Sequence, residues 1–485
     1  MSSVEPSSFF RDAFLLMLGF ALVFTALVAP GIYSIDGNAM LAVSESLVTH
    51  RGFTVPEGLG VPGVGGRVYS HWYPLLSVLA VPFVYAGLVA SRMTGLPFHY
   101  LAAVFSLFLT GILTAATCGM VALLTLRMGG SRKGAWLAAV SFVIGTVALA
   151  YGRTFFAEPL LAFLTVSALY FTLGLSPRGI LMGACFSGLA MLAKPTGLVV
   201  GPILVAYLVA KRTPFPRSTL PLAGTCAGFA IYAGYNILRF GQALNFGMDS
   251  PFRIAFFLPG VAGLLASPGY GLLWYCPPVI LAIFGFRKAM KDRLLEALAI
   301  VTVFAAFLFL HSLAWYWYAG WSWGPRYLVP GVPGLCALTG LLEGNLKKGL
   351  VVLTLLGFLV NAPTLFCFFE RYYAELGEQG IYADDSIAWS VRYAPFLHEW
   401  PAAVRQAKDA MRSDVKEIFA QRGAPSRTVE GSRALRVVAV WWWVLPVARI
   451  PRWIGATIST FLVGLGWFCV RRAFHVEREA VELLE

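Results

Sequence analysis

Runs of about twenty apolar residues recur along this chain from end to end, and a helix of that length crosses the hydrocarbon core of a bilayer. Twelve such runs are candidate spans: 10–30, 99–126, 133–151, 159–174, 179–193, 196–210, 219–238, 270–286, 294–313, 326–342, 349–368 and 454–470. Composition agrees: 58% of residues are hydrophobic and 13% charged, about half the charged share of a soluble domain. The expected fold is therefore an all-α polytopic membrane protein. The first run is read as a retained anchor, since it is too long for a signal peptide and has only Arg11 nearby as a positive charge.

The formal net charge is +13. The basic residues stand in short clusters between apolar runs, so they mark cytoplasmic loops and not a nucleic-acid surface. The clusters are Arg127/Arg132/Lys133, Arg178, Lys211/Arg212/Arg217, Arg287/Lys288/Lys291/Arg293, Lys347/Lys348 and Arg471/Arg472. Twelve spans with both ends inside place every cluster in the cytoplasm. That solution requires 75–89 not to cross, and Pro74 and Pro82 fit a broken helix lying at the outer interface.

The outer face then receives a long first loop, 31–97, and a late segment, 370–436. The late segment holds ten acidic and ten basic residues, about a third of all charges in the chain. It is expected to be a small aqueous subdomain or lid. The stretch 436–453, with "WWWVLP", reads as an interfacial belt. The expected organisation is a transmembrane region 1–368, a charged periplasmic segment 369–436, and a tail 437–485 with the last span. The seven cysteines lie in or beside apolar runs without paired spacing and read as buried small hydrophobes.

Ionisable groups at membrane depth are expensive and mark function. Asp36 stands where the chain leaves the first span. Gly37 after it permits a tight turn, and residues 37–50 read as an amphipathic helix that Asp36 would either cap or use as a mount for chemistry. Glu158 precedes Pro159, at a helix start on the outer side. Lys194 precedes Pro195 in "MLAKPTG", where the chain must break. Arg326 follows Pro325 in "WSWGPRYLVPG", in a first turn whose dipole opposes a cation. No acid is near either cation in the sequence, so a ligand anion, phosphate above all, is expected to compensate. "GRVYSHWYPL" adds Arg67, Tyr69, His71 and Tyr73. Two acids and two cations on one face suit a transfer whose leaving group is a phosphate. There is no Walker loop and no Asp-x-Asp pair, so a phosphate on a lipid is expected and not a nucleotide.

The order of "SIDGNAM", "YSHWYPLLSVLAVP", "FFAEPLLAF", "GLAMLAKPTGLVV" and "WSWGPRYLVPGVP" resembles the GT-C superfamily of polyprenyl-phosphate-dependent glycosyltransferases. Relatives in that group include protein O-mannosyltransferases, the lipid A aminoarabinose transferase and bacterial arabinosyl- and mannosyltransferases. The resemblance covers roughly 10–368 and implies a GT-C-like bundle of about twelve transmembrane helices with periplasmic juxtamembrane helices. It also implies that Asp36 is the general base, that Glu158 is the second acid, and that Lys194 and Arg326 bind the donor phosphate; Tyr69 and His71 are the further candidates for binding that phosphate. The aminoarabinose transferase carries Glu and Lys before a double proline; here "SHWYPL" has His71 and one proline. A divalent metal held by Asp36 and Glu158 is a candidate cofactor.

The expected activity is an inverting glycosyltransferase of the inner (plasma) membrane, multi-pass, with its site on the periplasmic face. It would move one hexose or pentose from a polyprenyl-phosphate sugar to a hydroxyl of a lipid, glycan or protein. Its expected partners are that donor, that acceptor and membrane lipids, and not nucleic acid. The rival reading is a transporter or flippase for a lipid-linked or anionic substrate, since buried charges beside broken helices also serve transport. The clustering of the charges on one face, not at mid-membrane, favours the enzyme.

Overall fold

The computed structural model describes residues 6–247, 252–382, 385–412 and 435–482. In chain order the first helices are α1 (Pro6–Ala26), α2 (Ile35–Val48), α3 (Pro74–Thr94), α4 (Phe98–Arg127), α5 (Arg132–Ile144) and the one-turn α6 (Ala148–Tyr151). Then come α7 (Glu158–Leu173), α8 (Pro177–Ala193), α9 (Val200–Ala210), the short α10 (Phe215–Ser218) and α11 (Leu220–Phe240). They are followed by α12 (Phe257–Ala266), α13 (Leu272–Tyr275), α14 (Ala282–Ala289), α15 (Leu294–Ser312), α16 (Val332–Thr339) and α17 (Gly344–Asn361). The last are α18 (Glu370–Glu378), α19 (Asp385–Ala388), α20 (Pro395–Arg412) and α21 (Arg452–Glu482). The strands among the described residues are β1 (Val61–Pro62) and β2 (Val68–Tyr69), an antiparallel pair with Val61 opposite Tyr69. The fold is all-α.

Among the described residues six helices are long and apolar enough to cross a membrane: 9–26 of α1, α3, α4, α15, a stretch beginning with α17, and 452–473 of α21. Four further apolar helical stretches are shorter. Packing fixes their directions. Gly111 of α4 meets Phe24 of α1, while Gly119 meets Met17 and Ala13, so α4 runs back along α1. Gly466 of α21 meets Gly19, and Ser459 Oγ donates to the Ala26 carbonyl, so α21 is antiparallel to α1 as well. The start of α1 and the end of α21 therefore point to the same side. Arg132, bonded to Asp12, is on that side, as is Arg127, beside Gly174.

Helix α3 has the length of a span, yet both of its ends are on the opposite side. Its first turn touches α2, where the Ser77 hydroxyl donates to the Met40 carbonyl. Its far end passes Ala102 at Gly87, in the part of α4 that projects beyond the end of α1. This geometry is that of a helix lying along one face.

Helices α8 and α11 run parallel at very close range. Gly188 packs on Gly224 and Gly228, and Gly224 on Ala184; a Cβ at Gly224 would stand 2.0 Å from the Ala184 carbonyl oxygen. Small residues four apart let backbones approach in this way. One continuous core runs through the molecule, and it includes Tyr372, Tyr373, Ile387, Ala388 and Leu435 of the charged late segment. The described part of that segment is thus packed into the main body. Residues 413–434 of it lie outside the described residues. The belt is a 3-10 helix, Trp441–Ala448, whose Trp441 indole donates to the Ala26 carbonyl at the end of α1. All seven cysteines are free; five are buried as expected, but Cys185 and Cys226 are exposed.

Candidate active site

Four charged side chains meet at one end of the bundle, each carried there by a local break in helix. Asp36 is in the first turn of α2. The N-cap of that helix is Ser34, whose hydroxyl accepts from the Gly37 amide at 3.1 Å. Capping is therefore not the function of Asp36. Gly37 is helical, not a turn; a Cβ there would collide with Ile32, Ser34 and the Phe155 carbonyl, so glycine lets α2 press against the chain entering α7. Asn38 is buried and donates to the Ile32 and Ser34 carbonyls.

Glu158 opens α7 with Pro159 behind it. Lys194 closes α8 in extended backbone (φ −162°) and passes into the 3-10 turn Pro195–Val199. Arg326 opens the 3-10 turn Arg326–Leu328 after Pro325. The approach to Arg326 is rigid. The Tyr151 hydroxyl bonds both the amide and the carbonyl of Trp323, and the Trp323 indole donates to Asn361. Gly324 has φ +61° and is packed on the Tyr275 ring, so a side chain is excluded there on both counts.

The four charges form one network. The Lys194 ammonium is 2.7 Å from Glu158 Oε1. The Arg326 guanidinium is 3.1 Å from Asp36 Oδ2 and 3.5 Å from Glu158 Oε1. The expectation that the two cations lack a local acid is corrected here: helices distant in sequence bring the acids to them. Exposure separates the acids. The Asp36 side chain is 25% exposed and that of Glu158 only 4%.

Aromatic rings surround the cations. Lys194 lies 4.5 Å over the Tyr327 ring, and Arg326 4.6 Å over Phe156. His311 stacks on Tyr327 at 4.2 Å. Together with Met40, Trp72, Tyr73, Phe156 and Ala157 the four charged residues line a small cleft. Of the residues that the sequence named in this loop, Tyr73 lines the cleft, with Trp72 beside it, while Tyr69 and His71 do not. Tyr69 is held in the β1–β2 pair and packs on Gly63 and Phe240. His71 packs on Trp72 outside the lining. Burial holds its imidazole below the usual value, with Asp36 opposing and Arg239 adding to the shift. Met40, Phe156, Tyr327 and His311 carry no sequence signal beyond apolar or aromatic character.

The loop carrying Trp72 and Tyr73 is clamped by Arg239, which is fully buried at the end of α11. Its guanidinium donates to the Ser70 carbonyl, to the Trp72 carbonyl at 3.2 Å and to Asn236 Oδ1 at 2.6 Å. It also lies 3.8 Å over the Tyr235 ring.

Two crystal structures of ArnT from Cupriavidus metallidurans superpose on 95% of this chain and 77% of their own. The apo form gives a TM-score of 0.50 at 16% identity, and the form bound to undecaprenyl phosphate 0.51 at 17%. The chain has the GT-C fold. No protein-family model matches it, and no curated protein sequence does. Within this GT-C scaffold, the described residues contain no group of three or more His, Cys, Asp or Glu side chains placed to hold a metal ion. Asp36 and Glu158 both face Arg326, and a divalent ion between them would meet that guanidinium. The donor set does not fit a metal centre.

Proposed function

We propose that this chain is a membrane-embedded, inverting glycosyltransferase that moves one hexose or pentose from a polyprenyl-phosphate carrier to an acceptor hydroxyl. The observation that carries this reading is the paired network: two cations at helix breaks, each held by a carboxylate, beside an aromatic cleft. A phosphate entering the cleft offers Lys194 and Arg326 oxygens in place of those carboxylates. Asp36, the more exposed acid, is then released toward the acceptor. It takes the hydroxyl proton as the acceptor oxygen bonds to the sugar carbon, and the carbon–oxygen bond to phosphate breaks with its electron pair leaving on the phosphate. Lys194 and Arg326 stabilise the charge that grows there. Glu158, deeply buried, keeps both cations in place.

The ArnT structure bound to undecaprenyl phosphate supports a lipid-phosphate donor. The basic side chains at the far ends of α4 and α5 support a cytoplasmic assignment for that side and an extracytoplasmic cleft at the plasma membrane. The acceptor is a lipid, glycan or protein reaching the cleft from water. Purified protein incubated with a panel of polyprenyl-phosphate sugars and a membrane extract, with products read by mass spectrometry, tests the reading. Donor-dependent glycosylated product is expected; substrate movement across vesicles without product would assign the chain to transport instead.

A further inference from the structure

Helix α20 has three faces. Ala402, Ala403, Gln406 and the fully buried Glu399 point into the protein, with Glu399 3.7 Å from Arg371 of α18. A second face is apolar and exposed: Leu397, Trp400, Val404 and Met411 are 49, 39, 54 and 64% exposed. At 3.6 residues per turn these four fall within a sector of about 60°. Arg405, Lys408 and Arg412 are exposed along the flank of that sector, on the side away from the protein contact.

The apolar face does not stand alone. The Trp400 indole donates to the Leu359 carbonyl near the end of α17. Helix α17 belongs to a membrane-length apolar stretch whose Val352, Leu355 and Leu359 are each more than half exposed. The exposed apolar surface of α20 thus continues the lipid-facing surface of α17 around its end on the cleft side. An apolar stripe flanked by cations matches acyl chains below and headgroup phosphates above.

We infer that α20 is an interfacial helix that rests its 397/400/404/411 face in the acyl boundary of the leaflet on the cleft side, with Arg405, Lys408 and Arg412 at the lipid phosphates. The charged late segment is therefore seated on the bilayer as well as on the protein, not held clear of it as an aqueous lid. This goes beyond the proposed activity and does not depend on it.

The test uses the full chain with Cys185 and Cys226 replaced by alanine, reconstituted in phosphatidylethanolamine/phosphatidylglycerol vesicles. A fluorophore is attached at Val404→Cys or, as the water-side control, at Asp409→Cys. A doxyl group near the lipid headgroup should remove most of the emission at 404 and little at 409, and a water-soluble quencher should do the reverse. Equal quenching of both positions by the aqueous reagent would overturn the inference. So would protection of 404 from both reagents, which would mean that protein covers the face.

Discussion

Arg326 holds two carboxylates at once, Asp36 at 3.1 Å and Glu158 at 3.5 Å, although the three residues come from helical segments far apart in the chain. A planar guanidinium can face two acids; an ammonium offers a single nitrogen. Arg326→Lys should therefore fold but lose about 10²–10³-fold in rate, the scale of a lost transition-state donor. Turnover at the parental rate with unchanged donor affinity would remove Arg326 from the phosphate site.

Lys194 and Glu158 should behave as a coupled pair. Each is almost fully buried, and breaking such a pair costs about 3–5 kcal/mol because the remaining charge is stranded. Lys194→Met alone should lower thermal stability in detergent sharply, and adding Glu158→Gln should restore much of it while activity stays lost. Additive losses in the double variant would show that the two do not interact. The sequence, with no acid near Lys194, implied a cation awaiting a ligand anion; the contact with Glu158 adds a part in folding.

Arg239 is expected to act by position. Arg239→Met leaves the Ser70 and Trp72 carbonyls without their donor, at a cost of about 1–3 kcal/mol. Trp72 and Tyr73 then lose their fixed place over the cleft. The Michaelis constant of one substrate should rise more than turnover falls, and Arg239→Lys should rescue part of the effect. Equal damage in the lysine and methionine variants, confined to stability, would make Arg239 structural only.

A pH effect is expected in the late segment. Burial raises the Glu399 carboxyl from 4.5 to about 8 against the pull of Arg371, and burial raises Glu370 to about 7. The folded state then binds more protons than the unfolded one between the ordinary and the raised values, so stability falls as pH rises through that window. Hydrogen exchange of α18–α20, corrected for intrinsic rates, should show weaker protection at about pH 9 than at about pH 5. Glu399→Gln should leave only the shallower slope due to Glu370. A steeper slope in that variant would reverse the assignment.

The positions of Asp36, Glu158, Lys194 and Arg326 were legible in the sequence because each stands at an interruption of an apolar run, beside proline or at a span's end. Their mutual pairing was not, since it is decided by which helices adjoin. Trp72 was hidden because aromatic residues at a membrane boundary are ordinary. Nothing in the sequence marks Arg239; only its contact with a loop more than a hundred residues earlier reveals the clamp. The charge of the late segment suggested water; that Arg371 and Glu399 face each other inside the fold, with an apolar stripe of α20 exposed, was not legible in composition.

Asp36 is the decisive residue for the proposed chemistry. Ser34 already caps α2, so a role for Asp36 in starting that helix is not available. Its remaining contact is with Arg326, and its side chain is the more exposed of the two acids. It stands at the start of a helix just past the end of α1, where a lipid-borne donor and a water-borne acceptor can both reach. Asp36→Asn keeps the size and retains a carbonyl oxygen for Arg326. If the carboxylate is the base, this variant should fold, bind donor and lose about 10²–10⁴-fold in turnover. Glu158→Gln should instead lose stability first, because it releases two buried cations from their shared acid. Full activity of Asp36→Asn would sink the proposed mechanism, and retained stability with lost turnover in Glu158→Gln would pass the role of base to that residue.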